Sequence, residues 1–334
     1  MRNMSSLIFL IAASTLAAQA QPKKIVVTGR GISYMADLKA VAPGVTFVEA
    51  KEADAAKEAA DADAILGVVT PEILRNAKKL KWVHIYSAGV ERYRFPEFIN
   101  SSIMLTNGRI IQGPEIADHA LALLLSLTRG IDRAVMNRSK QEWYKGEAKA
   151  IELRGKTAVI IGVGGIGTQI AERAHAFGMT VIGVDPRDVP FQGAISQVVR
   201  PDRLDTVLPK ADVVFISAPH TPESEKMVGE KQFELMKRGA YFIAVSRGKL
   251  YDTNALVKAL DSKRLSGAGL DVTDPEPLPK GHPLWAFDNV VITPHIATVS
   301  DGVGARYREL VLDNVARFAK GEPLRNVVDK QKGF

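Results

Sequence analysis

The chain has 334 residues, too many for one ordinary hydrophobic core, and its 46% hydrophobic and 24% charged content is that of a globular protein rather than a disordered or fibrous one. There is no cysteine, which excludes disulfides, thiolate catalysis and Cys-ligated metal. The formal net charge of +7 is scattered, with no basic helix and no aromatic-interleaved basic stripe. That argues against nucleic-acid binding and leaves a surface that attracts small anions.

The first element is "MRNMSSLIFLIAASTLAAQAQ". Arg2 is followed by an apolar run, Leu7 to Ala18, and then by Ala18-Gln19-Ala20. This is the layout of a secretory signal peptide over 1–20, with a mature chain starting at Gln21 in the periplasm or outside the cell. The alternative, a buried helix, leaves the protein cytoplasmic. The apolar run is too short to span a membrane, and no other run is long enough.

From Lys24 onward, short apolar runs alternate with amphipathic or Ala-rich stretches. The first series is "KIVVTG", "VTFVEA", "AILGVV", "WVHIYSAG" and "IMLTN", the last ending at Asn107, with helical stretches such as "EADAAKEAA" and "PEILRNAKK" between. Strands that alternate with helices predict a parallel sheet covered on both faces. Next, "PEIADHALALLLSLTRGIDRAV", Pro114 to Val135, opens with proline and acid and reads as one long helix. It is apolar on almost every side, which predicts burial by another domain or subunit. His119 on it reads as structural.

A second series follows: "TAVIIG", "TVIGVD", "DVVFIS", "AYFIAVS", "LSGAGLDV" and "NVVIT". It predicts a second open α/β sheet, with the boundary between Asn107 and Pro114. The tail "DGVGARYRELVLDNVARFAKG" reads as a final helix able to return to the first domain.

Within the second series Gly162, Gly164 and Gly167 form G-x-G-x-x-G between a strand and a helix, and Asp185 ends the next strand. That context fits a dinucleotide site. Gly162 permits the turn, Gly164 admits a pyrophosphate, and Gly167 lets helix and strand approach. The helix N-terminus attracts the phosphates. Asp185 would accept from ribose hydroxyls and favour NAD over NADP, with Arg187 softening that preference. A purely structural glycine turn is the competing reading.

Three strand ends of this half carry ionisable groups: Arg247 in "AVSRG", Asp271 and Glu276 in "GLDVTDPEP", and His295 in "ITPHIAT". Hydride transfer to a carbon bearing oxygen needs a proton donor at that oxygen, and histidine suits the task. A carboxylate on the imidazole fixes its tautomer. An arginine holds a substrate carboxylate by two prongs. Each residue alone would equally serve as a surface ion pair or a satisfied polar group.

In order and spacing, "GVGGIG", "AVSRG", "GLDVTDPEPLP" and "VITPHIA" resemble the D-isomer-specific 2-hydroxyacid dehydrogenases, a family that includes glyoxylate/hydroxypyruvate reductases and phosphoglycerate dehydrogenases. "WVHIYSAGVERY" and "IADHALALLLSLTR" resemble it too. The resemblance implies two open parallel-sheet α/β domains. One is a flavodoxin-like substrate domain from 22–109 with 297–330, and the other a Rossmann NAD-binding domain over 110–296. It also implies NAD as cofactor, a homodimer around the long helix, and no metal. By the same resemblance Arg247, Glu276 and His295 are catalytic, with His295 as acid/base, Glu276 as its partner and Arg247 on the substrate. Ser87, Ala88, Gly89 and Val90 bind the substrate carboxylate. Gly165 and Ile166 complete the pyrophosphate turn, and Val245, Ser246, Asp271 and Thr298 lie at the nicotinamide. Tyr86, Arg92, Tyr93, Arg94 and Trp285, all from loops, are pocket candidates, and His220 reads as a cofactor contact or a bystander. The implied activity interconverts a small 2-oxo acid and its D-2-hydroxy acid. A non-enzymatic NAD-binding protein of the corepressor kind is the rival. A formate dehydrogenase fits less well, since Glu276 stands where that relative has glutamine.

Overall fold

The computed structural model describes residues 23–143, 150–190 and 193–333. The 1–20 segment read as a signal peptide lies outside them.

The first series folds as β1 (Lys24–Val27), β2 (Thr46–Glu49), β3 (Ala64–Leu66), β4 (Trp82–His84) and β5 (Met104–Thr106). They pair in parallel in the order β2-β1-β3-β4-β5, the flavodoxin-like order. The second series gives β6 (Thr157–Ile161), β7 (Thr180–Val184), β8 (Gln197–Val199), β9 (Val213–Ile216), β10 (Ala240–Ala244), β11 (Leu265–Leu270) and β12 (Val290–Ile292). Their order is β12-β11-β10-β9-β6-β7-β8, all parallel. Counted from β6, this is the 3-2-1-4-5-6 order of a Rossmann sheet with one added strand. The central strands are buried on both faces, so they read as unbroken apolar runs rather than alternating ones. The edge strand β8 is mostly exposed and only three residues long, and the sequence pattern had not marked it.

The expected single helix over Pro114 to Val135 is two helices, Gly113–Arg129 and Ile131–Ser139. Gly130 between them has φ +66°, a left-handed C-cap that ends the first helix. The apolar face of the first helix is buried within this chain: Leu121, Leu123 and Leu124 join a core with Ile160, Ile170 and Ile243 from the second sheet and the Gly165–Ala176 helix. The chain therefore supplies the cover that the sequence had left to another domain or subunit.

The final helix, Val303–Lys320, lies on the first sheet, where Val311, Val315 and Phe318 share a core with Ile25, Val27 and Trp82. Val327 then bridges to Thr106 beside β5, and Lys330 Nζ donates to the carbonyls of Phe98, Ser101 and Ile103. The chain thus crosses between the sheets twice, after β5 and after β12. At the first crossing Ile110 has φ +76° and presses against Gly165, where the Gly-rich helix begins.

Candidate active site

The Gly-rich turn joins β6 to the Gly165–Ala176 helix. Gly162 has φ +93° and lies against the backbone of Ala218, so a side chain would be strained and blocked there. A Cβ on Gly167 would run into the Gly162 carbonyl oxygen. Gly164 is different: the nearest atom to a Cβ there would be Arg187 Nη2, at 3.9 Å. The turn is thus tight within and open outward, at a helix start whose first N–H groups lack helical acceptors. That is a fit for a pyrophosphate.

Asp185 follows β7 and is only 2% exposed. Its Oδ2 accepts from the Val163 N–H at 2.8 Å, which ties β7 to the turn. Arg187 then grips the carboxylate, with Nε on Oδ1 and Nη2 on Oδ2, both at 2.9 Å, and its own N–H on Oδ1. Burial pushes the Asp185 pKa up, but the Arg187 contacts and the Val163 N–H outweigh it and hold the carboxyl below its usual value. A ribose would meet Asp185 already held by Arg187. Ile166 is half-buried against the second core.

Beyond β10, Val245 and Ser246 are buried, and the Ser246 hydroxyl has no hydrogen-bond partner. An unsatisfied hydroxyl at this strand end suits a polar ligand such as a carboxamide. Arg247 comes next. Its Nη1 donates to the Ser246 carbonyl at 2.7 Å, and its Nε donates across to Glu91 Oε1 at 3.1 Å. Glu91 follows the Ser87–Val90 loop. Within that loop Ser87 Oγ donates to the Gly89 carbonyl, and Asn107 Nδ2 holds the Ala88 carbonyl. Among the described residues, no group accepts from the backbone N–H groups of Ala88, Gly89 or Val90. A run of free N–H groups facing an arginine suits an anion.

The Arg247 loop is built onto the Glu276 loop: a Cβ on Gly248 would run into the Thr273 backbone, and Thr253 Oγ1 donates to the Asp274 carbonyl. Glu276 Oε1 meets His295 Nδ1 at 2.6 Å. His295 itself has φ +54°, and its N–H donates to the Asp271 carbonyl. Asp271 is 2% exposed and works under this loop. Its carboxylate accepts from the N–H groups of Ile296 and Ala297 and from the Thr293 hydroxyl. His119 Nε2 lies 2.8 Å from Thr293 Oγ1 and 3.4 Å from Asp271 Oδ1, so this helix residue braces the histidine loop. Thr298 follows the buried Ala297 on that loop.

Other expected pocket residues are dispersed. Arg94 donates to the Gln331 carbonyl in the C-terminal segment, and the exposed Trp285 donates to the Pro279 carbonyl. Tyr86 directs a buried, unpartnered hydroxyl toward Gly31, between the rings of His84 and Tyr307. His220 Nε2 makes no hydrogen bond and lies 3.5 Å from Glu225. The sequence reading missed Glu91, although it adjoins "SAGV", because its partner lies 156 residues away. No cluster of His, Asp or Glu among the described residues has a metal-binding arrangement.

Comparison with known proteins gives the family. Residues 121–297 match the family model described as D-isomer specific 2-hydroxyacid dehydrogenase, NAD binding domain. A glyoxylate reductase from Korarchaeum cryptofilum is 34% identical over 280 residues, 81% of this chain and 84% of that protein. A D-3-phosphoglycerate dehydrogenase from Methanocaldococcus jannaschii is 33% identical over 262 residues. The match takes in 78% of this chain but spans only half the length of that relative. Among solved structures, a D-isomer specific 2-hydroxyacid dehydrogenase from Xanthobacter autotrophicus, in complex with NADPH and MES, superposes with a TM-score of 0.80 at 25% identity. It covers 94% of this chain and all of that one. The protein belongs to the D-isomer specific 2-hydroxyacid dehydrogenases and carries that family's NAD-binding domain.

Proposed function

We propose that the protein reduces a small 2-oxo acid to its D-2-hydroxy acid with NADH, and runs the reverse oxidation with NAD. The observation that carries this is the 2.6 Å contact between His295 Nδ1 and Glu276 Oε1. With a carboxylate on Nδ1, the imidazole is held in one orientation and Nε2 is left to give a proton to the substrate oxygen. Arg247 and the free N–H groups of Ala88, Gly89 and Val90 hold the substrate carboxylate. Bound NADH supplies the hydride. Gly162, Gly164, Gly165, Ile166 and Gly167 would hold its pyrophosphate, Asp185 and Arg187 its adenosine ribose, and Val245, Ser246, Asp271 and Thr298 its nicotinamide end. In this reading 22–109 with 297–330 is the substrate domain and 110–296 the NAD domain. The test is a panel of 2-oxo acids assayed with NADH and NADPH. Turnover of one or more with NADH is expected, and a panel with no turnover would contradict the reading.

We also propose a homodimer and export. Ile131, Val135, Met136 and Trp143 stay exposed along and just past the second of the two long helices, and such an apolar group supports a partner copy there. The layout of 1–20 supports export, and no described helix is long and apolar enough to cross a membrane. N-terminal sequencing of the natively expressed protein should begin at Gln21. An intact Met1 in the cytoplasmic fraction would contradict export.

A further inference from the structure

The Arg247 guanidinium has two edges suited to a two-pronged grip on a carboxylate, Nε with Nη2 and Nη1 with Nη2. Glu91 lies along the first. Glu91 Oε1 is 3.1 Å from Nε, and Oε2 is 3.5 Å from Nη2. On the second edge, Nη1 donates to the Ser246 carbonyl. Both side chains are about two-thirds buried, at 36% and 32% exposure. The pair also lies directly on the substrate loop: a Cβ on Gly89 would run into Arg247 Nη2 and stand 2.5 Å from Glu91 Oε2. Arg247 follows β10 of the second sheet and Glu91 follows β4 of the first, so this ion pair ties the two halves together.

We propose that Glu91 is a tethered competitor for the substrate carboxylate and a specificity-determining residue of this site. The inference rests on the reading that Arg247 binds a 2-oxo acid. A carboxylate on a short tether is present at high effective concentration wherever its partner goes. A substrate carboxylate that takes the Nε and Nη2 edge must therefore replace Glu91 there. Only the fraction of molecules with the Glu91 contact open binds substrate, and the apparent affinity falls by that fraction. Glu91 does not leave the site when displaced. Its position in the chain, directly after Val90, keeps its negative charge beside the loop that holds the substrate. A 2-oxo acid with a second anionic group brings that group toward Glu91 and is disfavoured by like-charge repulsion. The site thus discriminates for monoanionic 2-oxo acids.

The test uses the full protein saturated with NADH, titrated calorimetrically with oxamate, an unreactive monoanionic isostere of a 2-oxo acid. Glu91→Gln keeps the shape and removes the charge. It should tighten oxamate roughly two- to fivefold, the range of a partly exposed ion pair. The KM for glyoxylate should fall in parallel, and the KM for the dianionic 2-oxoglutarate should fall further. A purely structural tie between the sheets would raise these constants instead. Glu91→Ala removes the acceptor altogether and carries the same expectation, so a Gln variant that fails to fold still leaves a decision. Equal or weaker oxamate binding in the folded variant, or no binding by wild type and variant alike, overturns the proposal. If the wild type reduces no 2-oxo acid while the variant binds oxamate more tightly, the proposed reaction fails and the competitor stands.

Discussion

Asp185 is a buried charge that Arg187 neutralises from three donors at about 2.9 Å. Removal of the carboxylate releases these three contacts of Arg187, beside the proposed place of the adenosine ribose. NADH should bind better than NADPH in the wild type, and Asp185→Ser should move the ratio of the two Kd values roughly tenfold toward NADPH. Fluorescence titration of both cofactors checks this, and an unchanged ratio would contradict it. Arg247 and His295 were legible as candidates because each stands just past an apolar run, and Glu276, which comes after β11 and a polar stretch, only through the resemblance. What joins them was not. Asp271, an expected nicotinamide contact, also ties the His295 loop through both carboxylate oxygens. Such a contact is fixed by where β11 and β12 lie side by side, which local sequence does not state.

At the scale of elements, parallel strands buried on both faces announced themselves, and β8 did not, because an exposed three-residue edge carries no such run. Gly130 was a readable helix stop, a glycine directly after a basic residue, hidden by the apolar pattern that continues past it. β4 contains a further liability. His84 is fully buried between its neighbours, with Nδ1 2.8 Å from Thr106 Oγ1 on β5. Burial pushes its pKa down from 6.5 to about 3. The folded chain therefore refuses a proton that the unfolded chain accepts below pH 6.5. Its share of stability is intact above that pH and is lost as pH falls toward 3, at up to about 1.4 kcal/mol per unit. Between pH 7 and pH 5, urea unfolding should show the wild type losing about 2 kcal/mol more than His84→Gln. Equal losses would mean that His84 is not held neutral.

In the whole molecule, two crossings join the sheets, and Ile110 at the first leans on the start of the Gly-rich helix. The proposed homodimer uses the exposed face that carries Val135 and Met136, so Val135→Lys with Met136→Lys should shift the mass seen by light scattering from dimer to monomer. A wild type already monomeric at micromolar concentration would remove that part of the account. The proposed reaction rests on His295, whose loop Asp271 ties down and whose Nδ1 meets Glu276. The most direct measurement is steady-state reduction of the best 2-oxo acid by His295→Ala, alongside the NADH dissociation constant. Turnover should fall by roughly 10²–10⁴-fold while NADH binds as in the wild type; wild-type turnover in that variant would contradict the assignment of His295 as the proton donor.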